Sequence, residues 1–199
     1  MIGFAKVVGD VADGALSVVT FAVVTVALTL LFVWIYIQSF RIALVPVISS
    51  LVAMVWMLGL LVILGYGVDP LGILVPFIIF AIGTSHGVQK ISAVSDAAMS
   101  GADSNEAARR TFRLLFLPAI VALLANLVGF ITILLIPVQV IREMAVTASL
   151  GIGVIILTDL ILLPVLISYV PITGRFRERV AHRQQALQKV WEKLARITH

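Results

Sequence analysis

Polar side chains interrupt three long apolar stretches of this sequence. His86 lies in one stretch, Asn126 in the next and Asp159 in the last, and Ser85 directly precedes the histidine. Ionisable side chains inside a membrane are costly, usually face protein or a water-filled path, and often belong to proton relays. We therefore take Ser85, His86, Asn126 and Asp159 as candidate proton-relay or polar-centre residues.

His86 and Asp159 are predicted to lie at a similar depth. At 1.5 Å per helical residue, each lies ~21–24 Å past the start of its predicted span. A contact between the two side chains is therefore geometrically allowed, although the sequence does not establish it. The alternative is that each side chain separately bonds a nearby carbonyl or hydroxyl group and only fixes helix packing.

The segment from Gly83 to Gly87 reads Gly-Thr-Ser-His-Gly and matches the G-x-S-x-G pattern of serine hydrolases. That pattern requires a strand, a sharp turn and a helix in an α/β sheet, whereas this segment lies within a hydrophobic helix. His86 directly follows Ser85 and points about 100° away around the helix, so it cannot act as the base. We therefore expect no enzymatic activity.

Small residues at four-residue spacing predict close helix packing. Gly83 and Gly87 form one such step, and Ala145, Ser149 and Gly153 repeat the spacing on the last apolar stretch. Residues of this size let two helix backbones approach in a membrane.

The composition indicates a polytopic membrane protein. Of 199 residues, 61% are hydrophobic and only 12% are charged. Five nearly uncharged intervals are each long enough for a helix that crosses a hydrocarbon core of ~30 Å. We predict an all-α bundle of five spans, approximately 15–38, 42–66, 70–92, 114–137 and 145–170.

The composition also excludes several kinds of site. The chain has no cysteine, so it has neither disulfides nor thiolate metal sites. We expect no cofactor or metal. The net charge of +4 does not indicate nucleic-acid binding, because the basic residues lie mainly between or after the apolar spans.

Turn signals separate the predicted spans. Asp69 can cap the third span, with Pro70 in its first turn. Two short helices are predicted in the loop before the fourth span. Gly101 can end the first, and Asp103, with Glu106 three residues later, can begin the second. Prolines within the spans are expected to kink or break helices, and these are Pro46, Pro76, Pro118 and Pro164.

Loop charges predict the orientation. Among the basic residues, only Lys6 and Arg142 lie on one side of the predicted membrane bundle. By the positive-inside rule, the other side is cytoplasmic. That side carries Arg41, Lys90, Arg109, Arg110, Arg113 and the basic residues of the tail. The N-terminus is then extracytoplasmic and the C-terminus cytoplasmic.

The tail from Arg175 to Ile197 has an apolar helical face beside basic residues. This pattern predicts an amphipathic helix on the inner membrane surface, with a linker helix packed on protein as the compatible alternative. We divide the chain into an approach segment (1–14), a five-span domain (15–170) and a cytoplasmic amphipathic helix (171–199).

Five segments follow one another along the chain: AIGTSHG from Ala81, NEAA from Asn105, ANLVGF from Ala125, PVQVIRE from Pro137 and LLPVL from Leu162. In this order they resemble the resistance-nodulation-division (RND) transporters. Within that superfamily the chain is similar to the branch of the mycobacterial-type large membrane (MMPL) lipid exporters and the sterol-sensing domain.

The resemblance implies that this chain corresponds to the five spans that follow the first porter domain of an RND permease. The second half and the porter domains of the permease would then be absent from this chain. The resemblance also places Ser85 where the family usually carries its proton-relay aspartate. Serine does not titrate near neutral pH, whereas a histidine such as the neighbouring His86 can carry a proton there if its surroundings allow it.

The implied function is the membrane domain of a secondary transporter that exports hydrophobic or lipid-like substrates. This chain would be inactive alone and would reside in a bacterial inner membrane. The complete protein would form homo-oligomers. The alternative is a sterol-sensing-like module that binds lipid or regulates a partner.

Overall fold

The computed structural model describes residues 4–66 and 72–195, and the side chains of 17–66 and 72–184. Its elements are α1 (Phe4–Ile37), α2 (Phe40–Ile63), a 3₁₀ turn (Gly72–Leu74), α3 (Val75–Met99), α4 (Ser104–Ile133), α5 (Gln139–Leu157), a π segment (Thr158–Leu162), α6 (Leu163–Tyr169) and α7 (Gly174–Ala195).

The described residues form helices and turns without a strand, as predicted. Five helical stretches are long and apolar enough to cross a membrane, namely Ser17–Ile37, Phe40–Ile63, Gly72–Met99, Ser104–Ile133 and Gln139–Tyr169. The last stretch combines α5, the π segment and α6. The all-α, five-span fold class is therefore confirmed.

The connection between α3 and α4 differs from the prediction. Instead of two separate short helices, α3 continues to Met99 and α4 begins at Ser104. Gly101 turns the chain with a φ of 91°, a left-handed conformation that suits glycine. Asp103 caps α4 by accepting a hydrogen bond from the Glu106 N–H at 2.8 Å. Each predicted short helix is thus a continuation of a spanning helix.

Other predicted boundaries also shift. The helix of the first span already begins at Phe4, within the proposed approach segment. Pro76 lies in the first turn of α3 rather than inside it, where its missing N–H breaks no helical bond. The predicted cap at Asp69 and its neighbour Pro70 lie outside the described residues.

The buried side chains form two apolar clusters separated by a polar layer. One cluster includes Met57 of α2, Ile79 of α3 and Ile152 of α5. The other includes Ile42 of α2 and Ile91 of α3. Between them along the bundle lie the buried polar side chains Ser49, Ser50, Thr84, Lys90, Thr158 and Asp159.

The first half of α7 packs on the bundle. Phe176 and Val180 join the apolar cluster that contains Ile91. Arg179 and Arg183 donate hydrogen bonds to the carbonyls of Gln38 and Tyr36, where α1 ends. The described side chains therefore fit the alternative of a linker helix on protein. The apolar side chains from Leu187 onward lie outside the described set, so membrane-surface binding remains a prediction.

Candidate functional site: a buried ion pair between two spans

A Lys–Asp ion pair joins α3 to the π segment. The Nζ of Lys90 lies 2.8 Å from Oδ2 of Asp159, and both side chains are 3% exposed. Lys90 also donates a hydrogen bond to the backbone carbonyl of Asp159. An ammonium group carries three N–H donors, so Nζ can serve the carboxylate and the carbonyl of the same residue. Lys90 therefore links α3 to both the side chain and the backbone of Asp159.

The local sequence explains why this carbonyl is free. The Leu163 N–H bonds the carbonyl of Thr158, five residues earlier, and thereby skips Asp159. The next residue, Pro164, has no N–H to offer to Asp159. The shifted hydrogen-bond register and the proline together leave the Asp159 carbonyl without a helical donor. A buried carbonyl needs a partner, and Lys90 supplies it.

Buried hydroxyl groups of α2, α3 and the π segment belong to the same polar layer as the pair. Ser49 of α2 donates a long hydrogen bond of 3.5 Å to the Thr158 carbonyl. The Thr158 hydroxyl bonds the Val154 carbonyl of its own helix at 3.1 Å. The buried Thr84 hydroxyl of α3 has no hydrogen-bond partner in the described part of the chain. The layer is thus polar, but not every group in it is satisfied.

His86 lies one helical turn before Lys90. It is half-buried, and no hydrogen bond or ion pair links it to the carboxylate of Asp159 among the described residues. It lines a cleft of about 50 Å³ with Gln89, Lys90 and the α4 residues Leu115, Pro118, Ala119 and Ala122. The cleft has room for a water molecule, and His86 and Lys90 both line it.

The remaining polar candidates are exposed on the bundle. Ser85 and Gln89 lie on the outer surface of α3, and Asn126 lies on that of α4. The structure therefore separates Ser85 and Asn126 from the buried pair, and relay roles for them remain predictions.

Glycines allow α3 to lie close to α2 beside the polar layer. A Cβ atom on Gly83 would be 2.9 Å from Oγ of Ser50, and one on Gly87 would be 2.6 Å from Cβ of Pro46. On α5 the closely packed glycine is Gly151, beside Ile79, whereas a Cβ on Gly153 would meet nothing within 4 Å. Ala145 is buried, and Ser149 is half-buried with an unpartnered hydroxyl in the described part.

Lys90 was assigned from the sequence to the loop charges, and that assignment is wrong. The residue lies inside α3, which continues to Met99, and its ammonium group is buried. Two signals pointed to this result. Lys90 lies within its own predicted span, and it follows His86 by four residues, which places both on one helical face.

The pair can hold a positive and a negative charge away from water, and it can separate or lose its charge when a proton moves. The described residues contain no cluster of three or more side chains suited to bind a metal ion. The chemistry that the two side chains of the pair offer is protonation and charge pairing between two spans.

Comparisons with known proteins agree with this architecture. The model of the MMPL family matches residues 2–199, which is nearly the whole chain. A comparison with curated proteins returns no match. The family match and the five apolar helices lead to one assignment: this chain is a multi-pass membrane protein that belongs to the MMPL family of RND-type transporters.

Proposed function

We propose that this chain is the five-span part of a larger RND-type permease that exports hydrophobic or lipid-like substrates. In this proposal the Lys90–Asp159 pair couples ion movement to the relative movement of α3 and the α5–α6 span. One observation carries the proposal: in a member of the MMPL family, a buried ion pair joins two spanning helices at a break in helical hydrogen bonding.

The coupling follows from the two bonds that Lys90 makes. Protonation of Asp159 would remove the charge attraction, and loss of a proton from Lys90 would remove the attraction and weaken its donor. Protonation of Asp159 leaves a buried ammonium group without its counter-ion, and loss of the Lys90 proton leaves the Asp159 carbonyl with a neutral donor at a place where the helix offers no N–H. Either change weakens the link between the two spans, and the π segment then has reason to change its local register.

The polar outer surface of α3 and α4 supports the larger assembly. Ser85, Gln89 and Asn126 are exposed at positions within apolar spans. Polar side chains at such positions usually face protein or water rather than lipid. We propose that a second half of the permease covers this surface, and that the complete protein forms homo-oligomers.

A lipid-binding or regulatory module is the second candidate, and an apolar cavity favours it. The cavity measures about 280 Å³ between α1, α2 and α3. Its lining includes Val19 of α1, Met54 of α2 and Phe80 of α3, without a charged residue. A cavity of this chemistry accepts a hydrocarbon group, as a module that binds lipid without transporting it requires.

Reconstitution tests the transport proposal. We expect the purified 199-residue chain in vesicles to show no saturable efflux driven by an ion gradient, because it would lack half of the pathway. When the chain is reconstituted together with the second half, we expect transport to appear. Lys90→Met should then lower the transport rate at least tenfold. Saturable efflux by the chain alone would refute the proposal that it is a part. Unchanged transport with Lys90→Met would refute the coupling role.

The proposed orientation in a bacterial inner membrane has a separate test. The chain has no native cysteine, so single cysteines report accessibility without background. We expect Glu178→Cys, exposed on α7, to react only from the cytoplasmic side, and Pro137→Cys, exposed between α4 and α5, only from the opposite side. The reverse labelling pattern would show that the orientation is inverted.

A further inference from the structure

A groove separates α4 from α6 at the end of the bundle that carries α7. It encloses about 270 Å³. One wall presents Arg109 and Arg113 of α4, which are four residues apart and therefore on one helical face. The other wall presents Pro164, Val165 and Ser168. The groove is thus basic on one side and mainly apolar on the other.

The two arginines are not neutralised by nearby acids. Both are exposed, and neither forms an ion pair within the described residues. The carboxylates at the start of α4 are engaged elsewhere. Glu106 pairs with Arg110 at 2.7 Å, and Asp103 accepts the N–H of Glu106. The groove therefore retains a local excess of positive charge.

The apolar surface continues from the groove along the spans. Arg113 is the last charged residue of α4 before its uncharged part. Beyond it Leu117 is 68% exposed, and on the facing span Val165 is 47% and Ile161 62% exposed. The guanidinium groups of Arg109 and Arg113 thus lie at the boundary of the apolar region. Beside them is an apolar track formed by the exposed side chains of Leu117, Ile161 and Val165.

We propose that this groove binds one anionic glycerophospholipid. Its phosphate lies between the guanidinium groups of Arg109 and Arg113, and an acyl chain follows Leu117, Ile161 and Val165. Arginine suits this role because its planar fork donates paired hydrogen bonds to phosphate oxygens. Basic pockets between spanning helices at a membrane surface have the charge and position to bind such head groups.

A lipid explains the site better than an acidic protein segment does. An acidic protein segment would pair with the two arginines, but it would leave the adjoining exposed apolar side chains to the hydrocarbon of the bilayer. A phospholipid provides both chemistries in one molecule and in the observed order, with the charge at the boundary and the chain toward the membrane interior. This inference concerns a site distinct from the Lys90–Asp159 pair and does not require transport activity.

Native mass spectrometry of the 199-residue chain, released from mild detergent with added lipid, tests the proposal. We expect one phosphatidylglycerol molecule to bind in preference to phosphatidylcholine. Arg109→Gln with Arg113→Gln should weaken this binding roughly 20-fold or more, because each basic residue near an anionic head group contributes several-fold in affinity. Arg109→Lys with Arg113→Lys should retain part of it.

A matched double variant, Arg41→Gln with Arg142→Gln, removes the same charge outside the groove and leaves the Glu106–Arg110 pair intact. Arg41 is exposed at the start of α2, and Arg142 donates a hydrogen bond to the Ile136 carbonyl. We expect this control to bind phosphatidylglycerol normally, and free glycerol phosphate at equal concentration not to compete. Thermal unfolding confirms that all variants are folded.

Three outcomes would overturn the proposal. They are equal binding of both lipids by the unaltered chain, equal losses in the groove variant and the matched control, and displacement of the lipid by free glycerol phosphate. If an acidic peptide binds through the two arginines and phosphatidylglycerol does not, the groove is a protein-docking site instead.

Discussion

Replacing Lys90 with methionine, or Asp159 with leucine, is expected to lower the free energy of unfolding by about 3–5 kcal/mol. Each single change leaves a buried group without its partner. Lys90→Met leaves both the carboxylate and the carbonyl of Asp159 unsatisfied, so it should be the more damaging of the two. Unfolding in mild detergent, followed by circular dichroism, measures the effect.

The double variant Lys90→Met with Asp159→Leu provides the decisive comparison. Apolar replacement of a whole buried pair is often close to neutral, so the double variant should be more stable than either single variant. The free carbonyl of Asp159 should keep it below the unaltered chain. His86→Ala is the control and should cost less than either pair variant, since His86 makes no bond to Asp159. Strictly additive losses would show that Lys90 and Asp159 do not interact.

Gly87→Ala is expected to destabilise the bundle by about 1–3 kcal/mol, the usual cost of overpacking a close contact. The added Cβ would lie 2.6 Å from Cβ and 3.1 Å from Cα of Pro46. These atoms belong to a rigid ring and to the backbone of α2, so relief requires the two helices to separate. The same unfolding assay in mild detergent provides the measurement.

Gly153→Ala is the matched control, because its Cβ would meet nothing within 4 Å. Alanine favours a helix more than glycine does, so the stability of this variant should be unchanged or slightly raised. Equal losses for Gly87→Ala and Gly153→Ala would indicate that glycine is needed for backbone flexibility rather than for the approach of α2 to α3.

The parts of the fold that follow from local physics could be predicted from the sequence. Long uncharged intervals predict spanning helices because the hydrocarbon core imposes their length. The cap at Asp103 was predicted because Asp103 is followed by Glu106 three residues later, which is a variant of the capping-box pattern. The two helices around Gly101 were mistaken for short ones, because charged residues can continue a helix beyond the membrane boundary.

The ion pair was harder to predict because it depends on tertiary register. Depth alone matched Asp159 with His86, but the side chain of Lys90 is longer and spans the gap from one turn further along α3. The π segment was not anticipated either. Pro164 predicts a disturbed helix, but the choice between a kink and a shifted register depends on what else can bond the freed carbonyl.

The separation between the Lys90 ammonium nitrogen and the Asp159 carboxyl carbon, measured by solid-state NMR in lipid bilayers, tests the central claim most directly. With ¹⁵N in lysine and ¹³C in the aspartate carboxyl, the Lys90→Met and Asp159→Asn variants assign the signal to this pair. We predict a strong dipolar contact, consistent with the 2.8 Å between Nζ and Oδ2. Absence of that contact, or a contact of the same carboxyl with the His86 imidazole instead, would contradict the account.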